Sequence, residues 1–104
     1  MPAGEIGMSE DMDGAPLRRM VTICNKRGLH ARAAARFVKL AEQFDADVRV
    51  AKNGSVVSGR SIMGLMMLAA SIGTTIEIRA TGRQAEAAIE AMAGLVADAF
   101  DEQD

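Results

Sequence analysis

Length, charge and rare residues limit what this protein can be. The chain has 104 residues and a formal net charge of −2, with one histidine and one cysteine. This length suits one domain, and the near-neutral charge provides no basic field for binding nucleic acid. One histidine and one cysteine cannot form a metal-binding cluster or an internal disulfide, so we expect neither a metal nor a cofactor.

The first 17 residues differ in composition from the remainder. They are rich in glycine, proline and acidic residues, a composition that favours a flexible extension. They lack the positively charged start and continuous apolar stretch of a signal peptide, and no part of the chain is apolar for long enough to span a bilayer. We therefore predict a cytoplasmic protein without membrane insertion, a flexible extension at 1–17 and one domain at 18–104.

The domain begins with a predicted strand and helix. β-branched residues favour a strand over 18–24, and the polar turn at 25–28 ends it. Cys24 closes this apolar run, so we expect a buried and unreactive thiol. A helix follows His30, because apolar residues recur at helical spacing and define one buried face. Those residues are Ala34, Phe37, Val38, Leu40, Ala41 and Phe44.

The middle of the chain carries a hairpin signal. Residues 47–52 alternate between polar and apolar, Asn53-Gly54 is a favourable hairpin turn, and residues 55–58 supply the partner strand. Ser61 then stands at the N-cap position of a short apolar helix over 62–70. Within this helix we expect Leu65 and Leu68 to be buried.

A strand and a helix complete the domain. Residues 74–80 alternate as a strand, Thr81-Gly82 turns the chain, and apolar residues from Ala85 to Ala99 recur at helical spacing. The element order is therefore βαββαβα. Short connections and the central hairpin favour an α+β open-faced sandwich, in which a four-stranded antiparallel sheet is covered on one face by three helices.

The only histidine stands where a predicted strand gives way to a helix, with Arg32 two residues after His30. A helix N-terminus presents free N–H groups and the positive end of its dipole, and a guanidinium adds fixed charge, so this site favours a phosphoryl group. A neutral imidazole can accept that group. The alternative is a histidine that only caps the helix or packs against the sheet.

Two segments resemble one known family. Gly28-Leu29-His30-Ala31-Arg32-Ala33-Ala34 is similar to the active-site loop of the HPr family, histidine-containing phosphocarriers of the bacterial phosphoenolpyruvate-dependent phosphotransferase system, including the nitrogen-related NPr branch. Residues 60–66 resemble the family's regulatory-serine segment, and the resemblance extends over 18–104. Ala33 departs from the pattern, since many members have proline there; we expect a slightly less rigid loop.

The resemblance implies a relay function. His30 would accept a phosphoryl group on Nδ1 from phosphorylated Enzyme I and pass it to a histidine of a IIA-type protein, while Arg32 stabilises the transferred group. The protein would be a monomeric carrier with a covalent phosphohistidine, and not a free-standing enzyme. The family docks both partners on apolar residues beside the loop, a role that carries over to Ile62, Met63 and Met66.

Two other features each have two interpretations. Ser61 is an N-cap from the residues alone, whereas the resemblance adds regulatory phosphorylation by an HPr kinase/phosphorylase. Basic residues near the loop form either a rim that binds acidic partners or a solvated helix face. In the first interpretation Arg27 is a partner-binding residue. The residues of this rim are Arg27, Arg32, Arg36 and Lys39.

Two further functions compete with the relay. A regulatory protein-interaction module would use Ser61 and the methionine-rich surface, with phosphorylation of His30 incidental; the presence of both His30 and Arg32 argues against it. A small-ligand-binding domain would need a polar pocket or a dimer interface, which the sequence pattern does not locate.

Overall fold

The computed structural model describes residues 15–102, which form one sheet and three helices. The strands are β1 (Leu17–Thr22), β2 (Asp47–Lys52), β3 (Ser55–Ser58) and β4 (Thr75–Thr81). The helices are α1 (Ala31–Ala41), α2 (Ile62–Met67) and α3 (Ala85–Ala97), and a 3₁₀ turn follows over Ala99–Asp101. None of the helices in this part of the chain has the length and apolar character that crossing a bilayer requires.

The strands lie in the order β1-β4-β2-β3, and every neighbouring pair is antiparallel. Val21 lies opposite Ile76, and Val50 lies opposite Ile78. Because alternate residues of a strand share a face, these side chains point together toward the helices. The predicted βαββαβα sandwich, with three helices on one face of a four-stranded antiparallel sheet, is confirmed.

Each helix contributes fully buried side chains to one core between the sheet and the helices. Phe37 of α1, Leu65 of α2 and Met92 of α3 are all completely buried. Leu68 is also buried, so the predicted core positions of the short helix are correct. Packing of all three helices on one sheet fixes the loops between them, including the loop that carries His30.

Some element ends differ from their prediction. Residues 1–14, most of the predicted extension, lie outside the described residues, and β1 begins at Leu17. The helix predicted to continue through Ala99 ends at Ala97, because Ala99 has a left-handed φ of 56°. That turn of the backbone brings Phe100 into the core.

The prediction of a buried Cys24 is wrong. Ile23 is completely buried, whereas Cys24 is exposed. Successive side chains of an extended backbone point to opposite sides, so only one of these neighbours faces the core. The Cys24 thiol donates instead to the carbonyl oxygen of Val96, near the end of α3, at 3.2 Å.

Candidate functional site

The loop between β1 and α1 is held against the backbone that follows α2. Gly28 has a φ of +65°, in the left-handed region that glycine adopts readily. A Cβ at this position would lie 2.4 Å from the carbonyl oxygen of Ala70. The N–H of Leu29 donates to that same oxygen at 2.9 Å. Glycine at position 28 therefore permits the close approach that positions the next residue but one, His30.

His30 is the N-cap residue of α1. Its backbone is extended, and its carbonyl oxygen accepts the first helical hydrogen bond, from the N–H of Ala34 at 2.8 Å. The His30 side chain makes no capping hydrogen bond, so capping does not explain this histidine. The N–H groups of Ala31, Arg32 and Ala33 have no acceptor within the helix. The helix therefore presents three amides and its positive dipole end beside His30.

A carboxylate that the sequence prediction did not include lies against His30. Glu102 Oε2 is in hydrogen-bond contact with His30 Nε2, and Oε1 accepts from Asn25 Nδ2 at 3.0 Å. The side chains of His30 and Glu102 are 17% and 9% exposed, so their contact is largely shielded from water. Asn25 Nδ2 also donates to the carbonyl oxygen of Gly28 at 2.8 Å. The asparagine therefore joins the loop to the end of the described chain.

The surroundings of Glu102 favour its ionised form. Burial by itself raises the pKa of Glu102, but hydrogen bonds from Asn25 and His30 and the positive charge of Arg36 act in the opposite direction. The net result is a pKa below the ordinary glutamate value. Glu102 is therefore a carboxylate at neutral pH and only accepts hydrogen bonds.

A left-handed turn brings Glu102 to the loop. Ala99, Phe100 and Asp101 have φ values of 56°, 55° and 63°, a conformation that costs non-glycine residues roughly 1–2 kcal/mol each. Complete burial of Phe100 and a hydrogen bond from Arg36 Nη1 to the Phe100 carbonyl oxygen oppose that cost. Arg36 is therefore partly buried and connects α1 to the turn, and is not a free member of a basic rim.

The remaining basic residues near the loop are exposed. Arg32 is the second residue of α1, Arg27 lies in the turn before His30, and Lys39 lies in the last turn of α1. Their side chains make no hydrogen bond or ion pair with any of residues 15–102. No group of three or more histidine, cysteine, aspartate or glutamate side chains in that range is arranged to hold a metal ion.

The short helix α2 carries the predicted regulatory serine and docking residues. Ser61 is its N-cap, and the Ser61 hydroxyl oxygen accepts from the N–H of Gly64 at 2.9 Å. Ile62, Met63 and Met66 are 41%, 69% and 40% exposed, so α2 presents several large apolar side chains together, and such patches are typical of interaction sites. Because α2 packs against α1, this apolar surface and the His30 loop belong to neighbouring elements.

Asn25 and Glu102 are the site residues that sequence reasoning missed. They are separated by 77 positions in the chain, and the sequence around Asn25 indicates only a turn. Glu102 follows the last predicted helix and has no pattern of its own. The one signal that bears on it is the aromatic Phe100, which indicates that the chain near its end packs against the core.

Comparisons with known proteins show which family this chain resembles. The family model PTS-HPr, described as the PTS HPr component phosphorylation site, matches residues 17–98. Phosphocarrier protein NPr of Shewanella violacea is 45% identical over 83% of this chain and 94% of its own length. Phosphocarrier protein HPr of Cupriavidus necator is also 45% identical, over 83% of this chain and 97% of its own.

Solved structures show the same fold. The crystal structure of HPr-C-His from Thermoanaerobacter tengcongensis superposes with a TM-score of 0.80 at 39% identity, covering 85% of this chain and 99% of that one. The phosphocarrier protein HPr of Bacillus anthracis gives 0.76 at 43% identity, covering 80% and 99%. Because a family model and full-length relatives both match across most of its length, this chain belongs to the HPr family, the phosphocarrier proteins of the phosphotransferase system.

Proposed function

We propose that His30 accepts a phosphoryl group from phosphorylated Enzyme I and donates it to a histidine of a IIA-type protein. The observation that carries this proposal is the position of His30 at the start of α1, with a side chain that makes no capping hydrogen bond. Nε2 of the imidazole contacts Glu102, whereas Nδ1 has no hydrogen-bond partner among the described residues and can act as a nucleophile beside the helix amides. Membership of a phosphocarrier family supplies the class of reaction.

Charge stabilisation at this site suits a group that must be passed on. The amides at the start of α1 and the guanidinium of Arg32 are donors for the oxygens of a transferring phosphoryl group. Arg32 is exposed and unpaired within the described residues, so it can reach that group without losing an existing contact. Because Arg32 is exposed to solvent, its charge holds the bound phosphoryl group less tightly than a buried guanidinium would, which favours onward transfer.

Partner docking is assigned to the apolar surface of α2. Ile62, Met63 and Met66 are exposed residues of this surface, and Arg27 is an exposed basic residue in the turn before His30. Methionine side chains are flexible and polarisable, so one surface can pack against the different shapes of a donor and an acceptor. The basic residue suits acidic groups on those partners and would increase their rate of association.

Ser61 is proposed as a regulatory phosphorylation site for an HPr kinase/phosphorylase. Its hydroxyl already accepts from the Gly64 N–H, and phosphate oxygens can accept the same bond at the start of α2. Phosphorylation would therefore place about −1.5 to −2 charges beside the docking surface without unfolding α2. Enzyme I that docks through acidic groups would then bind more weakly.

The test is intact-mass spectrometry after incubation with phosphoenolpyruvate and Enzyme I. The wild-type chain should gain one phosphoryl group that is lost in acid, and His30→Ala should gain none while remaining folded. Ser61→Ala is the matched control and should be labelled like the wild type. Arg32→Ala should be labelled more slowly but completely.

Two outcomes would contradict the proposal. An acid-stable phosphoryl group, or one that persists in His30→Ala, would place the modification elsewhere. No labelling of the wild type by Enzyme I of either the sugar or the nitrogen branch would favour the second candidate, a regulatory interaction module. The exposure of Met63 and Met67, at 69% and 77%, is the observation that supports that candidate.

A further inference from the structure

The contact between Glu102 and His30 determines which ring nitrogen is available for chemistry. Glu102 is ionised at neutral pH and only accepts hydrogen bonds. Its contact with His30 Nε2 therefore requires that Nε2 carries the proton. In the neutral ring the lone pair then lies on Nδ1. The structure thus distinguishes the two nitrogens before any partner binds.

We propose that Glu102 is a positioning residue that keeps the proton of His30 on Nε2 while Nδ1 accepts and donates the phosphoryl group. This inference rests on the proposed function, since it concerns the same transfer. Glu102 does not touch the phosphoryl group and acts only through the ring. A carboxylate that holds a histidine tautomer through the second nitrogen is a known way to prepare such a ring for reaction.

During acceptance the Nδ1 lone pair forms a bond to phosphorus as the bond from phosphorus to the donor histidine breaks. The His30 ring then carries the phosphoryl group on Nδ1 and the proton on Nε2, so the ring is positively charged. The Glu102 carboxylate, only 9% exposed, lies against that charge and stabilises it with little screening by water. No proton leaves His30 in this step.

During donation a ring nitrogen of the acceptor histidine forms a bond to phosphorus as the Nδ1–phosphorus bond breaks, and the electron pair of the broken bond returns to Nδ1. Because Nε2 keeps its proton, His30 leaves as neutral imidazole. Without that proton it would leave as an imidazolate anion, which is a much poorer leaving group. Through one hydrogen bond, Glu102 therefore keeps the ring in the protonation state that both steps require.

The contacts around Glu102 hold it in this place from both sides. Asn25, which is 3% exposed, donates to the second carboxylate oxygen and so orients the group toward His30. Phe100 is completely buried, and its carbonyl oxygen accepts from Arg36 of α1. Burial of Phe100 and its hydrogen bond stabilise the three consecutive left-handed residues that precede Glu102. The turn is thus a built support for the carboxylate.

The first test is the imidazole tautomer, measured by two-bond nitrogen–proton correlation spectroscopy on the ¹⁵N-labelled full chain at a pH where the ring is neutral. The wild type should show the Nε2–H form alone. Glu102→Gln should show both tautomers, because an amide can donate to Nε2 as well as accept from it. Asp101→Asn is the matched control: it removes the same charge from an exposed neighbour and should match the wild type.

The second test is the rate of transfer. Phosphoramidate, a chemical donor, phosphorylates histidine without any protein partner, so it separates this inference from the identity of Enzyme I. Phosphorylation of Glu102→Gln should be slower than that of the wild type and of Asp101→Asn by roughly tenfold to a hundredfold, as for other carboxylates that orient a histidine. Amide spectra confirm that each variant is folded.

An Nδ1–H tautomer in the wild type, or an unchanged tautomer in Glu102→Gln, would overturn the inference. Equal effects of Glu102→Gln and Asp101→Asn would also overturn it, because the loss of one negative charge would then explain both results. If Enzyme I fails to label the wild type while the tautomer responds to Glu102→Gln as expected, the proposed relay function is wrong. The inference that Glu102 positions the His30 ring is then still supported.

Discussion

Replacing Gly28 by alanine tests whether the His30 loop depends on its close approach to the backbone after α2. Gly28 has a left-handed φ of +65°, which costs alanine roughly 1–2 kcal/mol, offset by about 0.4–1 kcal/mol from a less flexible unfolded chain. The new Cβ would lie 2.4 Å from the Ala70 oxygen, which belongs to the backbone and must move.

Movement of that oxygen breaks its hydrogen bond with the Leu29 N–H, which adds about 1–3 kcal/mol because a shielded N–H loses its acceptor. Gly28→Ala should therefore lower the free energy of unfolding by about 1–5 kcal/mol, of which the lost hydrogen bond contributes about 1–3 kcal/mol. Gly54→Ala is the matched control, with a φ of +87° and no atom within 4 Å of its Cβ. It carries only the conformational cost, about 1 kcal/mol.

Urea unfolding followed by circular dichroism measures both variants, since the chain has no tryptophan or tyrosine for fluorescence. The two transitions should have similar slopes, so that the midpoints report stability directly. If Gly28→Ala is destabilised no more than Gly54→Ala, the contact with Ala70 does not hold the loop, and our account of how His30 is positioned is wrong.

Three further predictions concern the cap, acid stability and the docking surface. In thermal unfolding, Ser61→Ala should lower the free energy of unfolding by about 1 kcal/mol, and Ser61→Asp should lower it much less. Equal losses in the two variants would show that the Ser61 side chain does not stabilise α2 as an N-cap. The pKa of Glu102 in the folded protein lies below the ordinary glutamate value of 4.5. The wild type should therefore be more stable than Glu102→Gln above pH 4.5, and this difference in unfolding free energy should disappear as the pH falls through the pKa of the folded state. A difference that persists in acid would contradict this prediction. Met63→Ala should change unfolding by less than about 0.5 kcal/mol yet weaken Enzyme I binding in calorimetry, and unchanged binding would remove Met63 from the docking surface.

The elements of this fold follow from patterns that each segment carries by itself. Helical spacing of apolar residues predicts α1, and the Asn53-Gly54 turn predicts the β2–β3 hairpin, which the structure contains. The N-cap position of Ser61 follows in the same way from its place before an apolar run. These features are predictable because backbone preference and side-chain periodicity act over a few residues.

Only the tertiary structure decided what surrounds His30. Glu102 lies 72 positions away in the chain, and it reaches Nε2 because a left-handed turn follows α3 and Phe100 enters the core. No local pattern marks that turn, and the exposure of Cys24 likewise depends on which side of the extended backbone after β1 faces the core. The sequence by itself determined the strands, the helices and the place of the histidine. Long-range packing determined which side chains meet it, because contacts between distant segments exist only once the core has formed.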